Sequence, residues 1–134
     1  MAIDESKTFI PVNIAVLTVS DTRTLADDKS GQPLQERIAA AGHSVADRQI
    51  TKDEVAKIRR IVKAWVKRKD VDVIISTGGT GLTGRDVTIE AMRPLFEKEI
   101  DGFSTLFHMV SFPKIGTSTV QSRAMAGVAK GKYI

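Results

Sequence analysis

Val73-Ile74-Ile75-Ser76-Thr77-Gly78-Gly79-Thr80-Gly81 runs from a β-branched apolar segment directly into a glycine-rich turn, with Arg85-Asp86 close behind. The apolar run predicts a strand buried in a sheet. Three glycines in four positions leave backbone N–H groups uncovered, which is what an anion requires of a loop. In an open α/β sheet such a loop lies at the carboxyl end of its strand, where ligands bind. The segment reads as a phosphate or other anion site, although a strand-to-helix turn needing positive φ would use the same glycines.

The loop is neither of the common phosphate motifs. A Walker loop ends in Gly-Lys-Ser/Thr, and no lysine lies between Asp72 and Glu97 to reach a terminal phosphate. Gly79-Thr80-Gly81-Leu82-Thr83-Gly84 has the letters of a dinucleotide fingerprint, but it stands before Arg85-Asp86 rather than at a helix start and belongs to the third βα unit. The match is a coincidence of letters.

Composition sets further bounds. At 134 residues and 42% hydrophobic content the chain can bury one sizeable core, so we expect a polar tail over residues 1–11 and a single domain over 12–134. The absence of cysteine excludes disulfides, thiolate metal sites and cysteine nucleophiles. The first eleven residues form neither a signal peptide nor an anchor, and no apolar run is long enough to span a membrane, so a cytoplasmic location is expected. A net charge of +4 and a pI near 9.5 raise the question of nucleic acid, because seven basic residues crowd residues 57–69. One Trp and one Tyr provide too little stacking surface, and a solvated helix face or a small anionic substrate explains the charge equally well.

The pattern along the chain is strand, helix, strand, helix, strand. Residues 12–19 read as a strand buried on both faces, with Ser20-Asp21-Thr22 opening a polar loop. A helix begins near residues 30–33 and stops at Gly42; residues 45–50 form a weaker, edge-like strand. Thr51-Lys52-Asp53-Glu54 has the form of a capping box for a helix whose buried stripe is Val55, Ile58, Val62 and Trp65 or Val66. Such alternation implies parallel strands joined by right-handed crossovers. Beyond the glycine loop a helix from about Thr88 is interrupted by Pro94, and Asp101-Gly102 marks a turn. Phe103, Leu106, Phe107 and Val110 have helical spacing, as in a core or subunit-interface helix. Tyr133-Ile134 starts an apolar run that stops at once, the pattern expected of a truncated domain.

Phe9-Ile10-Pro11, residues 14–20, Ala41-Gly42-His43, residues 77–82, Asp101-Gly102-Phe103 and residues 116–123 together resemble the MoaB/MogA molybdopterin-binding family, in its B branch. The resemblance covers residues 9–134. It implies a three-layer α/β/α sandwich with a mostly parallel sheet, molybdopterin as ligand, assembly into trimers or hexamers and, in several members, transfer of AMP from ATP to the pterin phosphate. It also implies that members continue into a further strand and a Pro-Gly loop near the nucleotide site.

For such a reaction both partners are anionic, and catalysis rests on positioning and charge neutralisation with Mg²⁺ on the nucleotide. Asp86 resembles one essential family aspartate and Asp53 the other; as carboxylates from two βα loops they could share one Mg²⁺. Read without the resemblance, Asp86 is equally an N-cap and Asp53 a charge stabilising a helix N-terminus. Thr77, Gly78, Gly79, Thr80, Gly81 and Arg85 form the expected phosphate loop. Ser20 and Asp21 suit a ligand-contacting pair or a capped turn, and Ser122 and Arg123 a phosphate contact or an interface. His43 and His108 have no metal-spaced partner and are assigned no role. The alternatives are a pterin-binding homo-oligomer with little or no catalysis and a basic nucleotide- or RNA-binding module.

Overall fold

The computed structural model describes residues 2–134. Its centre is β1, Asn13–Val19, in which every residue after Asn13 is buried. Polar alternation is missing because both faces are covered: Ala15, Leu17 and Val19 point into one apolar cluster, and Ile14 and Val16 into another. β2 (Ser44–Thr51) and β3 (Val73–Thr77) flank β1, both parallel to it.

Helix α1 (Gly31–Ala40) covers the Ile14/Val16 face through Ile38 and Leu34. The opposite face is covered by α2 (Val55–Val66), through Ile58, Val62 and Trp65, and by α3 (Thr88–Met92), through Ala91 and Met92. The result is the three-layer sandwich that the resemblance implied. Short strands β4 (Lys98–Glu99), β5 (Gly127–Ala129) and β6 (Lys132–Tyr133) complete a sheet of order β2-β1-β3-β6-β5-β4. β6 runs parallel to β3, whereas β5 pairs antiparallel with both β6 and β4, so the far edge departs from the parallel pattern.

Several local expectations hold for the stated physical reason. β2 is an edge strand. α1 ends just before Gly42, whose φ of 86° is the left-handed conformation a helix stop requires. α3 gives way at Met92 to a 3-10 turn, Arg93–Leu95, where Pro94 removes a donor. Two expectations do not hold. The capping box at residues 51–54 does not form: Thr51 is buried as the last residue of β2, and α2 begins after Glu54 with no side-chain cap. Strand pairing has claimed the hydroxyl residue that the box needed. Nor do Asp101-Gly102 make a turn; they open α4, Asp101–Ile115, where an acidic first turn suits the helix dipole.

Helix α4 contributes no buried residue, so its apolar spacing does not mark a core element. It lies against the 3-10 turn Gly116–Gln121. Leu106, Met109 and Val110 are 63%, 63% and 65% exposed. Among the described residues no helix is long and apolar enough to cross a membrane.

Candidate functional site

Because β1, β2 and β3 are parallel, the loops that follow Val19, Thr51 and Thr77 leave the sheet at one edge. The register sets Val19 beside Thr51 and Thr18 beside Thr77. Three chain segments distant in sequence therefore meet there, each bringing an acidic residue.

In the first loop the Ser20 hydroxyl accepts the N–H groups of Thr22 and Arg23 at 3.3 and 3.2 Å, closing its own turn. Asp21 ties the three loops together. Its carboxylate accepts the Nε and Nη2 protons of Arg85 at 3.0 and 2.8 Å and the backbone N–H of Asp53 at 3.2 Å. The Arg85 hydrogen bond lowers the Asp21 pKa against the opposing effect of burial, and Asp21 raises that of Arg85. These two expected phosphate contacts are thus partners of each other.

Asp53 differs from its neighbours. Its carboxylate has no hydrogen-bond donor among the described residues. Burial raises its pKa, the Asp21 charge raises it further, Arg85 partly offsets this, and Asp86 adds to the rise. It caps no helix, since the α2 N-cap is Glu54.

The glycine loop is shaped first by packing. Gly78 and Gly79 have φ of 96° and 66°. A Cβ on Gly78 would collide with the Val19 carbonyl, and one on Gly79 would strike the Thr88 hydroxyl and stand 2.9 Å from the Asp53 carboxylate. Both glycines are thus required by the turn itself, and their presence alone is no evidence for an anion. What bears on an anion is the backbone: among the described residues no acceptor meets the N–H of Gly79 or Thr80.

Asp86 turns back onto the same loop. Its Oδ2 accepts the Thr83 N–H at 3.0 Å and the Thr83 hydroxyl at 2.6 Å. The Thr83 hydroxyl and amide hold its pKa down. The N-cap of α3 is Val87, so the capping alternative for Asp86 is not realised. Arg123 braces the loop, donating to the Gly81 and Asp86 carbonyls and pairing with Glu90. Ser122 lines a cavity of about 520 Å³ along β3 that it shares with Thr77, Gly78 and Thr80 and with the apolar Phe96 and Phe107. His43 and His108 stand apart from this edge, accepting from Val12 N–H and contacting the Thr119 hydroxyl.

Among the described residues no three acidic or histidine side chains form a preassembled metal cage. The chemistry nonetheless suits Mg²⁺, which takes one or two carboxylates and fills its remaining positions with water and substrate phosphates. Asp53, to which no other described residue donates, and Asp86 are the carboxylates of this edge that lie outside the Asp21–Arg85 pair.

Three residues of this edge went unremarked in the sequence. Thr88 donates its hydroxyl to the Gly78 carbonyl at 2.8 Å and its N–H to the Gly79 carbonyl at 3.0 Å, fixing the turn from the start of α3. Glu90 holds Arg123. Asp28, with a side chain of 0% exposure, accepts the Thr18 hydroxyl and the Gly31 N–H at 2.8 Å each and Arg48 Nη2 at 3.0 Å. Burial pushes the Asp28 pKa up, but these bonds outweigh it and the net shift is downward. The visible signal was Asp28 three residues before the Gly31 that opens α1.

A mostly parallel sheet whose carboxyl edge gathers a glycine turn, open amides and an unpaired carboxylate defines a doubly wound α/β domain, a fold that takes its ligands at that edge. Residues 15–133 match a family model described as a probable molybdopterin binding domain. The chain is 52% identical over 129 residues to molybdenum cofactor biosynthesis protein B of Escherichia coli K12, an alignment covering 96% of this chain and 76% of that one. A crystal structure of molybdenum cofactor biosynthesis protein B superposes with a TM-score of 0.90 at 45% identity, covering 95% and 80% of the two chains. That of the tungsten cofactor synthesizing protein MoaB from Pyrococcus furiosus gives 0.82 at 32%, again covering 95% and 80%. The chain belongs to the MoaB/MogA family of molybdopterin-binding domains.

Proposed function

We propose that this protein acts in molybdenum cofactor biosynthesis by binding molybdopterin through its terminal phosphate at residues 77–81 and transferring AMP to that phosphate from ATP. The observation that carries the reading is the pairing of open amides at Gly79 and Thr80 with the unpartnered Asp53 carboxylate beside them. Amides without acceptors suit an oxyanion, and a carboxylate whose negative charge is disfavoured by burial and two like charges gains from a cation. In the transfer, a pterin phosphate oxygen bonds to the α-phosphorus of ATP while the bond from that phosphorus to the bridging oxygen breaks. Pyrophosphate leaves with the electron pair. When bound, Mg²⁺ supplies charge neutralisation on the nucleotide phosphates. Asp53 and Asp86 would hold it, the glycine-loop amides would orient the attacking phosphate, and the Asp21–Arg85 pair would hold the three loops in register.

A second reading, molybdopterin binding with little catalysis, draws on one feature: Asp21, Asp86 and Arg123 are already committed to partners within the chain. Pyrophosphate release from ATP and molybdopterin, measured beside a calorimetric titration of molybdopterin, separates the two. Release with binding supports transfer; binding without release under varied divalent metals selects the second reading; neither rejects both.

We also infer that the protein self-associates through α4, as a trimer or a dimer of trimers. The support is the exposed apolar surface of that helix, more than a lone small domain ordinarily leaves in water.

A further inference from the structure

Arg123 follows the 3-10 turn Gly116–Gln121, far in sequence from the glycine loop, yet its donors converge on that loop. Its backbone N–H donates to the Thr80 carbonyl at 3.1 Å, Nε to the Gly81 carbonyl at 2.8 Å and Nη2 to the Asp86 carbonyl at 2.9 Å. Glu90 on α3 accepts from Nη1 and, at 3.3 Å, from Nη2. Of the five guanidinium N–H groups, four are thereby engaged, leaving one on Nη1. A side chain so occupied is poorly placed to grip a phosphate.

The arrangement has a different use. Three carbonyls of the loop accept from a single residue, and carbonyls so bound are not free to turn toward an incoming anion. Asp86 closes the same loop through Thr83. The amides of Gly79 and Thr80 remain without acceptors in this turn.

We propose that Arg123 is a positioning residue, held by Glu90, that pins the carbonyls of residues 80–86 so that the glycine loop presents its amides to the ligand phosphate. The proposal rests on the reading of that loop as the phosphate site, and it specifies how the loop is kept competent. Lysine at 123 keeps the charge but cannot reach several carbonyls with a planar fork. Glu90 is half-exposed, so changing it to glutamine leaves the core intact.

The test uses the full chain with two variants, Arg123→Lys and Glu90→Gln, and two readouts. The first is amide hydrogen exchange in the absence of ligand, which does not depend on the function reading. Positioning predicts that exchange at the hydrogen-bonded Thr83 and Asp86 amides quickens by about tenfold in Arg123→Lys, with the core amides of β1 unchanged. Unaltered loop exchange would overturn the proposal. The second is molybdopterin affinity by calorimetry. Positioning predicts that Glu90→Gln weakens it, up to about tenfold, because Arg123 loses its anchor. If Arg123 instead bound phosphate directly, freeing it from Glu90 would tighten binding, and that sign would contradict the proposal. Should Arg123→Lys fail to fold, Glu90→Gln decides through both readouts. Wild-type protein that binds no molybdopterin would sink the function reading while leaving the exchange result to judge the clamp.

Discussion

At the carboxyl edge of the sheet almost every charged side chain has a partner inside the chain, whereas on α4 almost every large apolar side chain has none. Asp21, Arg85, Asp86, Arg123 and Glu90 are joined to one another or to the loop backbone, and Asp53 is the exception. On α4, Leu106, Met109, Val110, Phe112 and Ile115 are all exposed, while Phe103 and Phe107 stack on each other and line the cavity along β3. The difference teaches where to look for each kind of binding. A polar edge whose side chains are mostly paired, with the Gly79 and Thr80 amides and the Asp53 carboxylate left over, is shaped for a small charged ligand; a helix with an unburied apolar surface is shaped for protein.

The comparison breaks most readily at its buried support. Asp28 anchors the end of β1 and the start of α1 with no exposed side-chain surface, so Asp28→Ala leaves the Arg48 charge without its carboxylate and should cost about 3–5 kcal/mol in urea unfolding. A loss below about 1 kcal/mol would mean that this end of the sheet is not held as described.

Next comes the exception itself. Asp53→Asn keeps the shape and removes the negative ligand, and pyrophosphate release should fall by about 10²-fold or more while molybdopterin binding changes little. Full activity would remove Asp53 from the mechanism.

On the other region, Leu106→Glu should convert the oligomer to monomer in light scattering, an interface effect of about 2 kcal/mol, with the monomer's own stability nearly unchanged. A wild type that is monomeric at micromolar concentration would contradict the contrast directly.

The smallest effect carries a sign. Because the folded-state pKa of Asp53 is raised, its contribution to stability is present below the unfolded value near 3.8 and is lost as pH rises through the folded one. At neutral pH the charged form therefore opposes folding, and Asp53→Asn should raise Tm slightly even as it slows transfer. The gain should vanish in acid. A lower Tm at pH 7 would show that Asp53 has stabilising partners.

Much of this architecture was legible because its signals are local and periodic. The doubly buried β1, the stripe of α2, the stop at Gly42 and the break at Pro94 each follow from one stretch of residues. The glycine turn was found for the right position but with too simple a cause: Gly78 and Gly79 are demanded by Val19, Thr88 and Asp53, contacts that no linear pattern reveals. The pairing of Asp21 with Arg85 and the reach of Arg123 to residues 80–86 span dozens of residues and exist only once the strands are parallel. Thr51 had the letters of a cap and became a strand end, because tertiary pairing outweighed a local preference. The apolar spacing of α4 announced a helix correctly but could not say whether its apolar face would be buried.

The central claim is that the open amides of Gly79 and Thr80 receive the pterin phosphate. A ¹⁵N-resolved NMR titration of the isotopically labelled protein with molybdopterin tests it residue by residue. The account predicts that the Gly79 and Thr80 amide resonances move downfield together and saturate with the calorimetric affinity, as new hydrogen bonds to an oxyanion require. Saturable binding that leaves those two amides unmoved, with the shifts confined to another part of the molecule, would contradict it.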